Sequence, residues 1–506
     1  MRTVAALPTV HVLANESPLP AAALLALSEI RVQQRLSLPA LGELTFSDPP
    51  GPWPAVEWLA PGTRLRVQVA DRPVPLFVGE VTALEFVYGP AQEREMRVRA
   101  YDLLHRLRKR QQVRAHVQVN ALELARELAQ DLGVQVHGAA AGAVWTRLYQ
   151  HQQNDLELLT QVAERCGLYL NLWADTLHLL TLDGLGPPLP LALGEELLEA
   201  HAELNGDPAC RQVRAAGWDP LRVETHRSVA RRARVGRQVA GDVPPGAVGG
   251  GGEWLLVDTP TADDAQAAAL AQAELDRQVG REVTLWGVAE GDPRLRPGAQ
   301  VMVSGLAAPV AGRYVLTSTT HLLNAQSGYV TELETVPPPP RPAPAGVTVT
   351  LGVVTQINDP QGAGRVKVAL PAYEDLETDW LAVLAAGAGP GKGLVAIPDN
   401  GDRVLVMLLQ GDPGRGVVLG GLYGMAGPPD SGVEGGAVAR YTFLTPGGQR
   451  VRLDDTAQMI RLENSRGSFV ELRPDTVHLF AATDLTIEAP GRRIILRSNA
   501  IDFERG

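Results

Sequence analysis

A chain of 506 residues exceeds what a single hydrophobic core organises and predicts about three domains. With 45% hydrophobic residues it can bury cores, while a formal net charge of -11 excludes a general binder of nucleic acid or acidic lipid, which needs a positive field. Its two cysteines, Cys166 and Cys210, cannot build a disulfide framework or a metal site and read as buried thiols.

The opening residues, MRTVAALPTVHVLANESPLP, hold no uninterrupted apolar stretch, and no window reaches the roughly 18 apolar residues of a membrane span. The chain is therefore expected to be made in the cytoplasm without a signal peptide. Strands are predicted near Thr9–Leu13, Glu29–Leu36 and Thr63–Val69, then in the hairpin PLFVGEVTALEFVYG and EREMRVRAYDLLHRL. From Tyr101 the period becomes helical, with Leu103, Leu104 and Leu107 on one side. A helix in NALELARELAQDLGV starts at Asn120 and stops at Gly133. Another, capped by Asn154 or Asp155, stops at Gly167 and leads into a hairpin turning at Ala174 and Asp175.

Further on, HRSVARRARVGRQ carries five arginines between Arg227 and Arg237, and GDVPPGAVGGGGE follows it. Without interleaved aromatics for base stacking, this region reads as flexible or solvated rather than as a nucleic-acid patch. The segment TADDAQAAALAQAELDRQVG predicts an alanine-rich helix capped at Thr261 and stopped by Gly280. Two stretches share a plan: PGTRLRVQVADRPVPLFVGEVTALEF from Pro61 and PGAQVMVSGLAAPVAGRYVLTSTTHL from Pro297. Each gives Pro-Gly, an alternating strand, a loop and a Gly-led strand, which points to an internal duplication. The run FVGEVTALE, a strand ending in RAYDLLHRL, the QNDLELL helix, the CGLYL strand and its hairpin are together similar to the phage late control D proteins, the hub half of VgrG.

PPPPRPAPAG, residues 337–346, is an extended linker. Beyond it come short strands LGVVTQ, GRVKVAL, DWLAVLAA, LVAIP, DRVLVMLL and GVVLGGL, the plan of a small barrel such as an OB-fold. The ordered pieces G-x-V-x-x-x-x-D-P, GRVKV, a Trp-bearing strand, AG-x-G-x-G, P-x-x-GD-x-VLV and GDP-x-x-x-VVLG-x-LYG resemble the barrel of the VgrG and phage-spike family. After a second joint at 426–440, residues 441–506 repeat in steps of roughly eight residues, with Leu453, Leu462, Leu472, Leu479, Ile487 and Ile495 as the expected core and Ile501, Phe503 and Gly506 at the end. Strands this narrow gain a core only by stacking on neighbours, as three chains wound into a prism do.

Catalytic and metal motifs are missing. AGAGPGKGL around Lys392 has Ala386 and Gly393 where a phosphate loop requires Gly and Ser or Thr. The ten histidines show no ligand spacing, no G-x-S-x-G elbow occurs, and Asp263/Asp264 and Asp454/Asp455 fall at a helix start and a turn. No cofactor, metal or catalytic residue is expected.

The fold expected is mainly β with some α. It comprises a hub at 1–336 (two similar β-barrel-like domains at about 1–100 and 281–336, with an α+β insertion at about 101–280), an OB-fold barrel at 347–425, and a trimeric β-helical needle at 441–506. What the resemblance implies is the homotrimeric central spike of a contractile injection system, part of an assembled and released particle. Its neighbours would be inner tube and baseplate proteins at the hub, cargo proteins, and a PAAR-like tip protein on the C-terminal end, with no nucleic acid. The alternatives are an envelope-degrading enzyme with a site hidden in the hub, a type VI effector-carrier spike, and an OB-fold nucleic-acid binder.

Overall fold

The computed structural model describes residues 7–48, 58–90, 93–138, 140–219, 224–341 and 346–504. Contacts divide the chain into two compact units, Met1–Gly421 and Leu422–Gly506. Unit one begins with β1 (Val10–Ala14), β2 (Ser17–Pro18), helix α1 (Ala21–Ala26), β3 (Leu27–Arg35), β4 (Leu41–Ser47), β5 (Arg64–Val69), β6 (Phe77–Tyr88) and β7 (Arg94–Tyr101). Alternation sets their faces: Met96, Val98 and Ala100 are buried while Arg97 and Arg99 point to water. These strands join four later ones, β14 (Leu197–Leu204), β19 (Val283–Glu290), β22 (Ser318–Asn324) and β23 (Gly328–Glu334). The result is one eleven-stranded sheet in the order β14-β19-β23-β22-β3-β4-β7-β6-β5-β1-β2.

The two stretches with a shared plan pair in similar ways, but the first lies wholly in this sheet whereas the second gives it only β22 and puts its first two strands in a separate four-stranded sheet. In the first, β5 pairs with β6 and β6 with β7; in the second, β20 (Ala299–Ser304) pairs with β21 (Gly312–Val315) and β22 with β23. The register of β6 slips between Val81 and Ala83, where its counterpart breaks at Leu316 and Thr317 into β21 and β22. The glycines matched in sequence are not equivalent, however. Gly79 lies opposite Leu65, and it is Tyr314, not Gly312, that lies opposite Val301. The hub sheet is open rather than barrel-like, because its halves meet edge to edge at β22 and β3 and continue as one sheet.

Between the halves, β8 (Arg114–Val119) pairs with β10 (Trp145–Gln150), and β9 (Gln135–Gly138), β11 (Tyr169–Trp173) and β12 (Thr176–Leu180) form a three-stranded sheet. Helix α2 (Ala121–Ala129) is capped by Asn120 and α3 (Asp155–Arg165) by Asn154, with Glu123 and Glu157 completing the capping boxes. Gly133 and Gly167 end these segments in the left-handed conformation, φ 67° and 66°. A four-stranded sheet combines β13 (Leu185–Ala192), β20, β21 and β17 (Gln238–Val239). Another combines β15 (Gln212–Asp219), β16 (Glu224–Ala230) and β18 (Glu253–Pro260), with α4 (Asp264–Glu282) against it.

Two expectations are corrected here. Asp263, not Thr261, caps α4, accepting from the Gln266 amide at 2.7 Å, and the helix runs through Gly280 to Glu282. Gly280 serves packing, since a Cβ there would lie 2.7 Å from Pro337 Cγ. The arginine-rich segment is anchored rather than flexible. Arg234 donates to the buried Asp276 carboxylate at 2.9 Å, and Arg237 donates to the Val279 carbonyl at 2.7 Å and pairs with the buried Glu282. These arginines neutralise carboxylates that the helix buries, a partnership invisible without the tertiary fold.

The barrel comprises β24 (Val347–Gln356), β25 (Lys367–Leu370), β26 (Leu376–Glu377), β27 (Ala382–Val383), β28 (Arg403–Leu409) and β29 (Gly416–Gly421), in the order β26-β25-β24-β28-β29-β27. Val354, Val368, Val406, Leu408 and Val418 fill it. Its ends are joined by one bridge, Val366 to Leu381, through backbone bonds of 3.0 and 2.8 Å rather than a closing ladder. LVAIP, expected as a strand, is irregular and largely exposed; the place beside β29 is taken by β27. The proline linker, of which 342–345 lie outside the described residues, does not hold hub and barrel apart. Arg147 donates to the Thr378 carbonyl at 3.3 Å, His151 meets Tyr373 edge-on at 5.3 Å, and Val113 packs on the barrel core.

Replacing Asp263 with Ala is expected to lower hub stability by about 1 kcal/mol in urea unfolding, as lost N-caps do. Thr261→Ala is expected to be nearly silent, and equal effects from the two would contradict the cap assignment.

Candidate functional site: the apolar face of the C-terminal sheet

Unit two contains a two-residue hairpin, β30 (Val433–Glu434) with β31 (Ala437–Val438), then five strands that pair in sequence order. These are β32 (Arg440–Leu444), β33 (Arg450–Asp454), β34 (Met459–Glu463), β35 (Phe469–Leu472) and β36 (Val477–Phe480). Tight connections hold the meander: Asn464 accepts from the amides of Arg466 and Ser468, and Asp454 accepts from the amide of Ala457.

Directly opposed residues share a face, and so do alternate residues along a strand. Phe443 faces Val451, Val451 faces Leu462, Leu462 faces Val470 and Val470 faces Leu479. Two residues along, Tyr441 faces Leu453, Leu453 faces Ile460, Ile460 faces Leu472 and Leu472 faces Val477. Every residue on this face is apolar. The opposite face holds Arg450, Arg452, Asp454, Arg461, Glu463 and Glu471, together with Phe469 and Phe480.

Exposure runs against chemistry. Asp454 and Glu471 are 5% and 8% exposed, whereas Leu453, Leu462 and Leu479 are 45%, 50% and 53% exposed. The polar face shields itself. Arg452 pairs with Asp454 at 2.7 Å, and Arg461 bridges Glu463 at 3.1 Å and Glu471 at 2.9 Å while lying 3.8 Å over the Phe469 ring. Arg473 and Arg461 hold the Glu471 carboxyl below its usual range, and the Ala457 amide and Arg452 do the same for Asp454. The apolar face has no such cover within its own sheet.

Of the residues expected in the core, Leu453, Leu462, Leu472 and Leu479 lie on this one face. Ile487 and Ile495 fall beyond Phe480, where no strand forms in the single chain and the apolar side chains are exposed. Ile501 is exposed and Phe503 is 91% exposed, while Gly506 lies outside the described residues. Val470 and Val477 lie on it too, and Tyr441, Phe443, Val451 and Ile460, which complete the face, were missed by the eight-residue count; the period-two alternation inside each strand was the signal for them.

Chemistry of other kinds does not assemble. Among the described residues no three metal-ligating side chains gather, and Lys392 sits in a bridge with Gly389 that no helix follows. A cleft of about 290 Å³ between hub and barrel holds three carboxylates, each spent on local backbone. Asp263 caps α4, Asp379 accepts from the Trp380 amide, and Asp412 accepts from the Gly414 amide. Among the described residues no helix is long and apolar enough to cross a membrane.

Comparison with known proteins agrees with this architecture. Residues 350–423 match the injector OB domain of type VI secretion systems and phage baseplates. Residues 52–325, just over half of the chain, match the Alg8 N-terminal domain family. The fold is shared with the E. coli c3393 protein, described as a type VI secretion component with structural similarity to T4 bacteriophage tail proteins gp27 and gp5. That match has 14% identity and a TM-score of 0.53 over 78% of this chain and 96% of that one. It is shared also with a chain of the lidded Francisella PdpA-VgrG complex, at 9% identity and a TM-score of 0.55 over 93% and 79% of the two chains. The lidless PdpA-VgrG complex gives 8% identity and 0.54 over 94% and 99%. The resemblance to VgrG-type spikes therefore holds in the fold and in the OB domain.

The electrostatics of the polar face set a pH dependence. Because the folded carboxyl of Glu471 titrates below its usual value of 4.5, its contribution is present above that value and is lost as the pH falls through the folded one. Thermal unfolding of this unit is expected at lower temperature as the pH drops from about 6 toward 3, and Glu471→Gln is expected to flatten that dependence. An unchanged pH profile in the variant would remove Glu471 from the account.

Proposed function

The chain belongs to the family of the Alg8 N-terminal domain, and from its injector OB domain, its fold and its apolar C-terminal face we propose that it is the homotrimeric central spike of a phage-tail-like contractile injection system. The apolar face of the C-terminal sheet carries the reading. A face of ten apolar residues open to water is covered when three copies turn it toward a common axis, with the arginine and carboxylate face outward. The five self-paired strands of each chain then form one side of a prism. Beyond Phe480 the steps at Ile487 and Ile495 find strand partners in the other two chains, which winds the end into a β-helical needle and removes its open edges.

Function in this reading is mechanical and not enzymatic. The hub binds inner tube and baseplate proteins, the packed hub and barrel transmit the thrust, and the needle pierces the target envelope. Ile501, Phe503 and Gly506 form the platform for a PAAR-like tip protein, and cargo proteins ride on the assembly. The chain is made in the cytoplasm and works within a released, extracellular particle.

Light scattering of the full-length protein is expected to report three times the chain mass of 54.0 kDa. Removing residues 441–506 is expected to weaken the trimer, and a stable monomer of the intact chain in dilute native solution would overturn the proposal. For the tip, Phe503→Arg is expected to abolish binding of a PAAR-like protein in pull-downs while the trimer persists. Retained binding together with undiminished delivery by particles built with this variant would place the tip elsewhere.

A further inference from the structure

Strand β10 runs along the seam between hub and barrel, beside the cleft of about 290 Å³. To the wall of that cleft the hub supplies Trp145, Arg165 and Thr261, and the barrel supplies Asp412 and Arg415. Short links gather these groups around one space. The turn that carries Arg415 is set against β10, since a Cβ at Gly414 would come 3.0 Å from the Tyr149 ring. Gln266, in the first turn of α4, donates to the Val144 carbonyl at 3.4 Å and accepts from the Ala262 amide at 3.1 Å. That ties the start of the helix, with Thr261 before it, to the strand that bears Trp145.

Two buried groups on this wall stand without partners. Trp145 is 5% exposed and Thr261 is 2% exposed, and neither Trp145 Nε1 nor Thr261 Oγ1 has a hydrogen-bond partner among the described residues. A buried polar group left unpaired keeps the full cost of its desolvation. Because the indole N–H can only donate, whatever satisfies it brings an acceptor.

The charges of the wall favour the same kind of guest. Asp263 is compensated by the helix start that it caps, Arg365 is held by Asp359 at 2.7 Å, and Arg147 lies near Asp379. Arg165 feels both Arg415 and Asp412, and Asp412 lies 3.3 Å from Arg415. Burial, and after it the like charge of Arg415, push the Arg165 guanidinium down to about 10 against the pull of Asp412. An anion beside the two arginines relieves that repulsion.

We propose that this cleft binds a phosphate group, which accepts hydrogen bonds from Trp145 Nε1 and Thr261 Oγ1, neutralises Arg165 and Arg415, and so fastens hub to barrel. The four donors come from four places in the chain: β10, the end of α3, the residues before α4, and the turn between β28 and β29. Donors spread in this way suit the oxygens of a tetrahedral ion better than the two of a planar carboxylate, and guanidinium groups match phosphate oxygens in pairs. The volume admits the free ion or a small phosphate monoester.

The test is equilibrium dialysis of the full-length protein in chloride buffer against radiolabelled inorganic phosphate and, separately, radiolabelled glycerol phosphate. Saturable uptake of one phosphate per chain is expected. An ester that binds as tightly as the free ion supports the proposal with a phosphorylated molecule as the guest, and a weaker ester supports it with the ion itself. Arg415→Gln is expected to weaken binding about ten- to a hundredfold, as loss of a charge-assisted hydrogen bond does. Thr261→Val keeps the shape and removes the hydroxyl; it is expected to unfold in chloride at the temperature of the parent and to bind several-fold more weakly. No uptake of either probe, or uptake that either substitution leaves unchanged, overturns the inference.

Discussion

A sheet face made only of apolar side chains must leave water, and in this protein the chain that makes the face does not cover it within its own sheet. Burying a large aliphatic or aromatic side chain fully is worth about 1.5–3 kcal/mol, so ten half-exposed ones represent roughly 10 kcal/mol per chain. That is comparable with the whole stability of an ordinary domain. The ion pairs on the other face cannot substitute for it, because pairs in contact with water contribute little and are screened by salt. What they do is direct: they make one face soluble and the other not. The sheet therefore has a single sensible orientation in any assembly.

The hub obeys a related constraint through edges instead of faces. An unpaired strand edge invites a partner, and proteins cover it, charge it or pair it. Within the chain one such pair of edges is satisfied, β22 against β3. The helix α4 and its buried carboxylates Asp276 and Glu282, held by Arg234, Arg237 and Arg211, stiffen the intervening segment so that the two halves keep their places.

Much of this was legible in the residues, for identifiable reasons. Strand alternation at Met96, Val98 and Ala100, the Asn120 and Asn154 caps, and the stops at Gly133 and Gly167 are local signals, and local signals survive without a tertiary fold. Asp359 and Arg365, which stand in the barrel motifs, prove to be a partly enclosed ion pair at 2.7 Å that folds the loop between β24 and β25. What was not legible depended on distant contacts. Arg234 and Arg237 read as solvated because Asp276 and Glu282 lie some forty residues on, and Gly280 read as a stop because Pro337 was not yet beside it. Tyr441, Phe443, Val451 and Ile460 escaped because a count of eight-residue steps sees one residue per strand, whereas the face is made by two.

The mechanical reading draws its force from how these parts divide the work. A proline-rich connection alone would let hub and barrel swing, yet Arg147, His151 and Val113 dock one on the other, so compression passes through packed side chains. Packed interiors are incompressible and transmit strain, which is the property a driven spike needs. Asp263, Asp379 and Asp412 in the cleft are committed to backbone amides, and the C-terminal sheet leaves a face of apolar side chains exposed. In the proposed reading the C-terminal unit works by assembling, through the apolar area that its own sheet leaves uncovered.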